Sequence, residues 1–302
     1  MTTKKLWRRA VVPVLGLTLL LVPAHGPAAA EGVGRVAITP ARVAAGSTNT
    51  FTLVFTADTG RLRGETLLDV PRGWTAPQMT RTGQAGYVAL APGSCAGTKL
   101  RRIVGMRVAI ATACARGQSF TVTYGPAKAS TLSTDGYVFL TQTKPSVAPL
   151  TTKVVRVKRV VRDKRGRKRT KVTTKRVKVA TKPTFQPLAQ KKQPVVVVTG
   201  SQFHHLVVNA PTIATAGSAF SITVRAEDVY GNTAIGYGNL VSFTSSDSDA
   251  YLPQPYRFQR VDLGAKTLGG VILRHPGVQT ITVTDDAGNS DTSNPITVYA
   301  GG

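Results

Sequence analysis

Residues 50–55 read TFTLVF, and the alternation of their side chains decides the fold class. Successive side chains of a β-strand point to opposite faces, so Phe51, Leu53 and Phe55 share one apolar face. Threonine, valine and phenylalanine are also frequent in strands. The segment is therefore predicted to be a strand with one face in a protein core.

Similar segments recur through residues 31–150 at a spacing of about ten residues. Turn-forming sequences such as Ala57-Asp58-Thr59-Gly60 separate them. The predicted strands cover residues 35–38, 50–55, 65–70, 87–90, 99–104, 107–112, 119–124 and 136–141. Many short strands joined by turns are typical of a β-sandwich.

The composition of the 302-residue chain agrees with this prediction. Hydrophobic residues make up 42%, which suffices for a packed core and excludes wholesale disorder. Aromatic residues make up only 6%, whereas 29 glycines and 18 prolines supply turns. Two cysteines are too few for a disulfide-rich miniprotein or a zinc site with four cysteine ligands.

The N-terminus has the three parts of a secretory signal peptide. Lys4, Lys5, Arg8 and Arg9 precede an apolar run over residues 10–24, and three alanines end at Ala30. The alternative is an uncleaved membrane anchor, but the run is short and is interrupted by prolines. We therefore expect cleavage near Ala30 and a secreted or cell-surface protein.

Cys95 and Cys114 are the only two cysteines. In an oxidising compartment they are predicted to form a disulfide, which for a loop of this length stabilises by about 3 kcal/mol. Residues 93–97, GSCAG, also have the spacing of a hydrolase nucleophile elbow. That elbow requires a helix after the nucleophile, whereas a strand-like segment follows here, so the disulfide is favoured.

The formal net charge of +25 is concentrated in one segment. Residues 151–199 contain 17 basic residues and one acidic residue, whereas residues 200–302 contain five basic and eight acidic residues. After removal of residues 1–30 the net charge is +21. The basic segment therefore determines where the chain would attract anionic partners.

The basic segment 151–184 is unusually rich in valine and threonine for a disordered linker. Asp163 and Gly166 at its centre are typical turn residues, and two arms of strand-forming residues flank them. We predict a long basic β-hairpin; a disordered polybasic linker is the alternative, because an isolated two-stranded ribbon is marginally stable. Its valines are Val154, Val155, Val157, Val160, Val161, Val172, Val177 and Val179.

The hairpin is predicted to interrupt the first module before its last strand. Residues 195–198 are four consecutive valines, which indicate a buried strand. The first module is therefore extended to about residue 200. A second set of strands follows, predicted at residues 204–208, 219–226, 240–244, 256–261, 270–274, 279–284 and 295–299.

Short motifs follow one another in residues 202–300. They are Thr215-Ala216-Gly217-Ser218-Ala219-Phe220, Ala226-Glu227-Asp228-Val229-Tyr230-Gly231-Asn232, Val241-Ser242-Phe243-Thr244-Ser245-Ser246-Asp247, Tyr251-Leu252-Pro253, Gly277-Val278-Gln279-Thr280-Ile281-Thr282-Val283-Thr284-Asp285 and Ile296-Thr297-Val298. In this order they resemble a bacterial Ig-like repeat, a module of secreted and surface proteins of bacteria. The resemblance implies an Ig-like sandwich with a spacer or adhesive role, and it implies no chemistry, because this fold hosts many functions.

The first module also resembles an exported bacterial sandwich domain, through Pro71-Arg72-Gly73-Trp74, the cysteine pair and the segment 117–125. The predicted fold class is therefore all-β, with two Ig-like β-sandwich modules, the first carrying the inserted basic hairpin. The predicted domains are a signal peptide at residues 1–30, a sandwich with the basic insert 151–184 at residues 31–200, and an Ig-like sandwich at residues 201–302.

Other chemical candidates are weak. His204 and His205 are adjacent, and alternate strand positions would place them on opposite faces, so we expect no shared metal. The acidic segments 247–249 and 285–291 could offer oxygen ligands to calcium, but they lack the EF-hand pattern and contain ordinary turn residues. Glu227 and Asp228 are attributed to a turn. We expect no catalytic residue, metal or cofactor.

The function predicted from these features is that of a non-enzymatic exported or cell-surface protein. Its basic hairpin would bind polyanions such as wall or capsule polymers, anionic lipid or DNA. The alternatives are a structural spacer or assembly subunit with a protein partner or self-association, and an exported hydrolase. No small-molecule substrate is predicted. The predicted polyanion-binding residues are Lys153, Arg156, Lys158, Arg159, Arg162, Lys164, Arg165, Arg167, Lys168, Arg169, Lys171, Lys175, Arg176 and Lys178.

Overall fold

The computed structural model describes residues 31–147, 150–162, 167–180 and 182–301. The predicted signal peptide at residues 1–30 lies outside this part of the chain. Among the described residues the regular structure is β-strand, with two single-turn 3-10 helices at Gln190–Lys192 and Arg260–Asp262 and no α-helix. The all-β prediction is therefore confirmed.

The first sandwich contains twelve strands, and a ribbon of two strands is inserted among them. The sandwich strands are β1 (Arg35–Thr39), β2 (Arg42–Ala44), β3 (Thr48–Thr56), β4 (Leu62–Asp69), β5 (Val88–Ala91), β6 (Lys99–Val104), β7 (Arg107–Cys114), β8 (Ser119–Lys128), β9 (Thr134–Val138), β10 (Thr141–Pro145), β13 (Gln186–Pro187) and β14 (Val195–Thr199). The ribbon consists of β11 (Leu150–Arg162) and β12 (Lys168–Ala180).

Two layers enclose the core of the first sandwich. One layer is a four-stranded sheet in the order β1-β3-β8-β5. The other contains a five-stranded sheet in the order β13-β10-β4-β7-β6 and a three-stranded sheet in the order β2-β14-β9. This is the division between an A-B-E-D sheet and a sheet built on G, F and C that is found in Ig-like sandwiches.

Residues 50–55 lie at the centre of this core. Phe51, Leu53 and Phe55 are 0%, 2% and 2% exposed, as the alternation predicted. The ring of Phe55 stacks on Phe120 of β8 with centroids 4.8 Å apart. Phe139, between β9 and β10, packs edge-on against Trp74. The strand predicted at residues 136–141 is two strands, because the chain changes partner from β14 to β4 and β13 around this buried ring.

The second sandwich contains ten strands. They are β15 (His205–Asn209), β16 (Ile213–Thr215), β17 (Ala219–Glu227), β18 (Leu240–Ser245), β19 (Tyr256–Arg257), β20 (Ala265–Ile272), β21 (Gly277–Gln279), β22 (Ile281–Asp285), β23 (Ser290–Thr292) and β24 (Ile296–Tyr299). One sheet has the order β15-β17-β20, and the facing strands form β16-β24-β21 and β19-β18-β22-β23. Ile222, Val271 and Ile281 are completely buried between them.

Both sandwiches begin in the same way. The first strand, β1 or β15, pairs antiparallel in one sheet, and the following short strand, β2 or β16, pairs parallel with the last strand of the same sandwich. The valine strand predicted at residues 195–198 is thus the last strand of the first sandwich. This shared change of pairing partner between the first and second strands supports the assignment of both modules to the Ig-like class.

One predicted strand is mostly wrong. Residues 256–261 form a two-residue strand followed by a 3-10 helix. The reason is Asp262, whose carboxylate accepts hydrogen bonds from the Gln259 amide at 2.7 Å and the Tyr256 hydroxyl at 2.8 Å. These bonds cap the helical turn, so the chain leaves the sheet after Arg257.

Candidate functional sites

The ribbon leaves and re-enters the first sandwich at one sheet edge. β10 and β13 pair through Gln142 opposite Pro187 and Thr143 opposite Gln186. Beyond them, the Ser146 amide donates a 2.6 Å hydrogen bond to the Arg63 carbonyl oxygen. Both ends of the insert are therefore anchored by paired strands. A long insert is tolerated between them because the entropy cost of loop closure grows only slowly with length.

β11 and β12 pair antiparallel from Leu150 opposite Ala180 to Arg162 opposite Lys168. The predicted turn, and with it Lys164 and Arg165, lies outside the described residues. The other predicted binding residues of the two strands occupy paired register positions: Lys153, Arg156, Lys158, Arg159, Arg162, Lys168, Arg169, Lys171, Lys175, Arg176 and Lys178. Arg167 lies just before β12 and is exposed.

The register explains why the basic segment contains so many valines and threonines. Seven basic positions oppose valine or threonine, as Lys153 opposes Val177 and Arg176 opposes Val154. Only two pairs, Arg159 with Lys171 and Arg162 with Lys168, place like charges opposite each other. Because directly opposed like charges destabilise a strand pair, the interleaving lowers the repulsion within the ribbon.

Both faces of one stretch of β12 are open to solvent. The six consecutive residues 173–178 are all exposed, among them Lys175, Arg176 and Lys178. Consecutive strand residues point to opposite faces, so side chains on both faces are exposed there. Val154 of β11, opposite Arg176, is 62% exposed. The cationic side chains of Lys175, Arg176 and Lys178 are therefore exposed on two faces of the strand.

The predicted disulfide is confirmed. Cys95 and Cys114 are bonded and buried, which joins the loop before β6 to the end of β7. The thiol of Cys95 is therefore unavailable as a nucleophile, and a turn and a strand, not a helix, follow it. The nucleophile-elbow alternative is wrong.

A loop of the second sandwich joins the two sandwiches. The Asn232 side chain accepts a hydrogen bond from the Ser133 amide and donates one to the Thr131 carbonyl oxygen, both at 2.8 Å. Asn232 is held by Asp228, whose carboxylate also accepts a 2.7 Å bond from the Ser201 amide of the connecting segment. From the sequence, Asp228 is predicted only as part of a turn, and Asn232 has no predicted role.

The electrostatics of this junction favour an ionised Asp228. Burial raises the pKa of its carboxyl group, but hydrogen bonds from Ser201, Asn232 and Tyr230 outweigh burial and hold the pKa below its ordinary value. On the facing sandwich, Gly46 lies against the Tyr230 ring, and a Cβ at Gly46 would clash with it. The contact between sandwiches is therefore polar, specific and closely packed.

The same loop geometry occurs a second time, at residues 285–289. The sequence D-x-x-G-N is shared, and Asn289 donates through its amide nitrogens to Asp285 as Asn232 does to Asp228. Asp285 also accepts bonds at 3.0 Å from the Tyr237 hydroxyl and the Asn239 side chain. These donors occupy the carboxylate oxygens of Asp285, one member of the segment 285–291 that could offer oxygen ligands to calcium.

The carboxylate of Asp247, in the other segment considered for calcium, also accepts hydrogen bonds from protein donors. Asp247 accepts bonds from the Arg274 and His275 amides and contacts the His275 ring at 2.7 Å. Burial raises the pKa of Asp247, but the bonds to His275 and Arg274 dominate and the pKa is strongly lowered. In turn, the bond to Asp247 raises the pKa of His275. In the described part of the chain no group of three or more acidic, histidine or cysteine side chains could hold a metal ion.

His204 and His205 are closer together than alternation predicted. Their Nδ1 atoms are 3.1 Å apart, and His204 lies immediately before the first residue of β15. His205 also lies 3.5 Å from Glu227, which pairs with Arg225. The expectation of opposite faces is wrong for this pair.

Comparisons with known proteins add little to these observations. No family model and no curated protein matches the chain. Among solved structures, it is similar to the Escherichia coli adhesin FdeC, with 14% identity, 92% of this chain and 99% of that chain covered, and a TM-score of 0.24. A type II cohesin dyad from the ScaA scaffoldin of Acetivibrio cellulolyticus has 8% identity, coverage of 90% and 98%, and a TM-score of 0.24.

An ICAM-5 D1–D4 ectodomain fragment has 13% identity, coverage of 88% and 77%, and a TM-score of 0.21. Superpositions this poor do not bear on function, and the Ig-like assignment follows from the strand order of the two sandwiches. Within the described residues, no helix has the length and apolar character needed to cross a membrane.

Proposed function

We propose that the chain is a non-enzymatic protein, exported after cleavage near Ala30, that binds anionic polymers or surfaces through its basic ribbon. The two Ig-like sandwiches, residues 31–200 and 201–302, serve as the scaffold that holds the ribbon. The ligand class comprises wall or capsule polymers, anionic lipid headgroups and extracellular DNA. A secreted or cell-surface location follows from this proposal.

The observation that carries the proposal is the exposure of one stretch of the charged ribbon on both of its faces. Residues 173–178 of β12 are open to solvent, and their charge adds to that of β11 along a narrow two-stranded element. Such a distribution creates a positive potential that concentrates polyanions without recognition of their sequence. The segment 151–184 contains no aromatic residue, so base stacking does not contribute there.

The test is the salt dependence of binding to duplex DNA as a model polyanion. The triple variant Lys175→Gln, Arg176→Gln and Lys178→Gln removes three exposed charges of the ribbon. If all three contact phosphate, the slope of log K against log salt falls by about 2–3. An unchanged slope and affinity would refute binding through this stretch.

A matched control removes the same number of charges elsewhere. Arg35, Arg42 and Arg81 are exposed and lie on the first sandwich, outside the ribbon. The corresponding triple glutamine variant has the same net charge as the ribbon variant. If it weakens binding equally, total charge and not the ribbon determines the affinity, and the proposal is wrong.

A structural spacer or assembly subunit is the second candidate, and the hydrogen-bonded junction at Asn232 favours it. A spacer holds its two ends at a fixed separation only if its modules do not move relative to each other. The hydrogen bonds of Asn232 restrain that movement. Association of the acidic second sandwich with the basic ribbon of another copy would depend on salt. Sedimentation at low and high salt tests this, because a monomer at both contradicts assembly.

A further inference from the structure

The outer face of the five-stranded sheet forms a groove with an apolar floor. Cross-strand neighbours in one row are Pro187, Gln142, Leu67, Ala109 and Arg102. Leu67 and Ala109 are only 7% and 6% exposed, although they point away from the core. Longer side chains in the adjacent rows therefore stand above them and form walls. The resulting groove has a volume of about 1000 Å³.

Ion pairs border the floor on both sides. In the row towards the ribbon, Lys144 pairs with Glu65 at 2.7 Å, and in the row on the other side Arg107 pairs with Asp69 at 2.6 Å. Glu65 and Asp69 are four residues apart on β4, so the two pairs are about 13 Å apart along the strand. That width admits one extended polymer chain, because neighbouring strands of a sheet are only about 4.8 Å apart.

The walls carry an excess of positive charge. Arg72 and Arg102 also line the groove, and neither forms a salt bridge among the described residues, although Arg102 is near enough to Glu65 to interact with its charge. The bond to Lys144 and the nearby arginines lower the pKa of Glu65, as expected in a cationic environment. Two guanidinium groups are thus available for planar anionic groups, which they can bind through two parallel hydrogen bonds.

The opposite face of the same sandwich differs. In the sheet β1-β3-β8-β5, the two central outward rows consist of small or β-branched residues. One row is Thr39, Thr52, Thr123 and Ala89, and the adjacent row is Ala37, Val54, Thr121 and Ala91. These rows are uncharged and contain no large side chains that could form walls. Beside these rows the next outward row holds Arg35, Thr56 and Ser119, so the centre of this face lacks the ion-paired walls of the groove.

We propose that this groove binds a single chain of an acidic polysaccharide whose sugar units carry carboxylates. The carboxylates lie against Arg72 and Arg102, and the C–H faces of the sugar rings lie on the accessible apolar side chains of the groove, among which Val104 is 66% exposed. The apolar floor favours a sugar over a polyphosphate chain, which has no apolar surface to bury. The inference rests on the proposed function only for the anionic nature of the ligand, because the groove and the ribbon use different residues.

The test measures calorimetric binding of a short oligogalacturonate to residues 31–302 at physiological salt. Variant Arg72→Gln with Arg102→Gln should weaken binding about tenfold or more, since two charge-assisted contacts are lost. The charge-matched control Arg35→Gln with Arg42→Gln alters exposed arginines outside the groove and should change affinity less than about twofold. Polyphosphate and polyglutamate of equal charge should bind to the groove more weakly than the oligogalacturonate.

The outcomes separate the groove from the ribbon. Unchanged binding of oligogalacturonate to the variant of Arg72 and Arg102 would overturn the inference. It would also be overturned if polyphosphate or polyglutamate bound as tightly as oligogalacturonate and this binding depended on Arg102. Loss of oligogalacturonate binding in the ribbon variant alone would also overturn it, while the proposed function would stand. Loss in the groove variant alone, with no effect of the ribbon variant on any polyanion, would support the groove and refute the proposed ribbon function.

Discussion

Replacement of Asn232 by alanine should uncouple the two sandwiches. The substitution removes the acceptor of the Ser133 amide and the donor to the Thr131 carbonyl oxygen, together with the bonds from Asn232 to Asp228. Both bonds to the first sandwich are partly buried, so each loss costs towards the lower end of the range of about 1–3 kcal/mol for a fully buried unsatisfied group, because water recovers part of it. We expect a total loss of about 2–4 kcal/mol in the free energy of unfolding.

Asn289 provides a matched control. It occupies the same position in the second D-x-x-G-N loop and makes the same bonds to its own aspartate, but these stay within the second sandwich. Asn289→Ala should therefore cost only the local part of the loss, about 1–2 kcal/mol. The difference between the two variants measures the contribution of the contact to the first sandwich.

Denaturant unfolding followed by two probes provides the assay. Trp74 is the only tryptophan after residue 30 and lies in the core of the first sandwich, so its fluorescence reports that sandwich alone. Circular dichroism reports both sandwiches. In the Asn232 variant we expect the two transitions to separate, and in the Asn289 variant we expect any separation to be smaller. Equal effects of the two substitutions on stability and on the separation of transitions would refute the coupling by Asn232.

Two further predictions concern the ribbon and the second sandwich. Val177→Lys places a lysine opposite a lysine of β11 and should speed tryptic cleavage of the ribbon. The control Thr170→Lys places a lysine opposite a valine and should have a smaller effect. Equal cleavage rates of the two variants would contradict the observed register. The raised pKa of His275 means that its bond to Asp247 stabilises fully below the histidine's unfolded pKa, and this contribution is lost as pH rises through the folded pKa. Titration by NMR should show the pKa of His275 falling towards its ordinary value in Asp247→Asn, and an unchanged pKa would contradict the assignment.

Local patterns were sufficient for much of the fold. The strand at residues 99–104 coincides with β6, and the apolar alternation of residues 50–55 identified three core side chains of β3. By contrast, β2, β16 and β23 contain only three residues each and carry no alternation that could reveal them. They form because the chain on either side is already held in the sandwich.

Some features of the candidate sites can be predicted from the sequence, and others depend on residues that are distant in the chain. The concentration of charge in residues 151–199 and the pairing of the only two cysteines are readable without coordinates, since both follow from composition. The role of Asn232 is not readable, because its partners Ser133 and Thr131 are about one hundred residues away. The sequence alone also offered no signal that Asp228 would fix this amide in place.

By itself, the amino-acid order determined which segments become strands, where turns interrupt them and where positive charge accumulates, because these depend on neighbours within a few residues. Only the tertiary structure decided that Leu67, Ala109 and Arg102 share one row of a groove. Their proximity depends on the register of strands that are distant in the chain. That register is set by the simultaneous packing of both layers, which no single segment encodes.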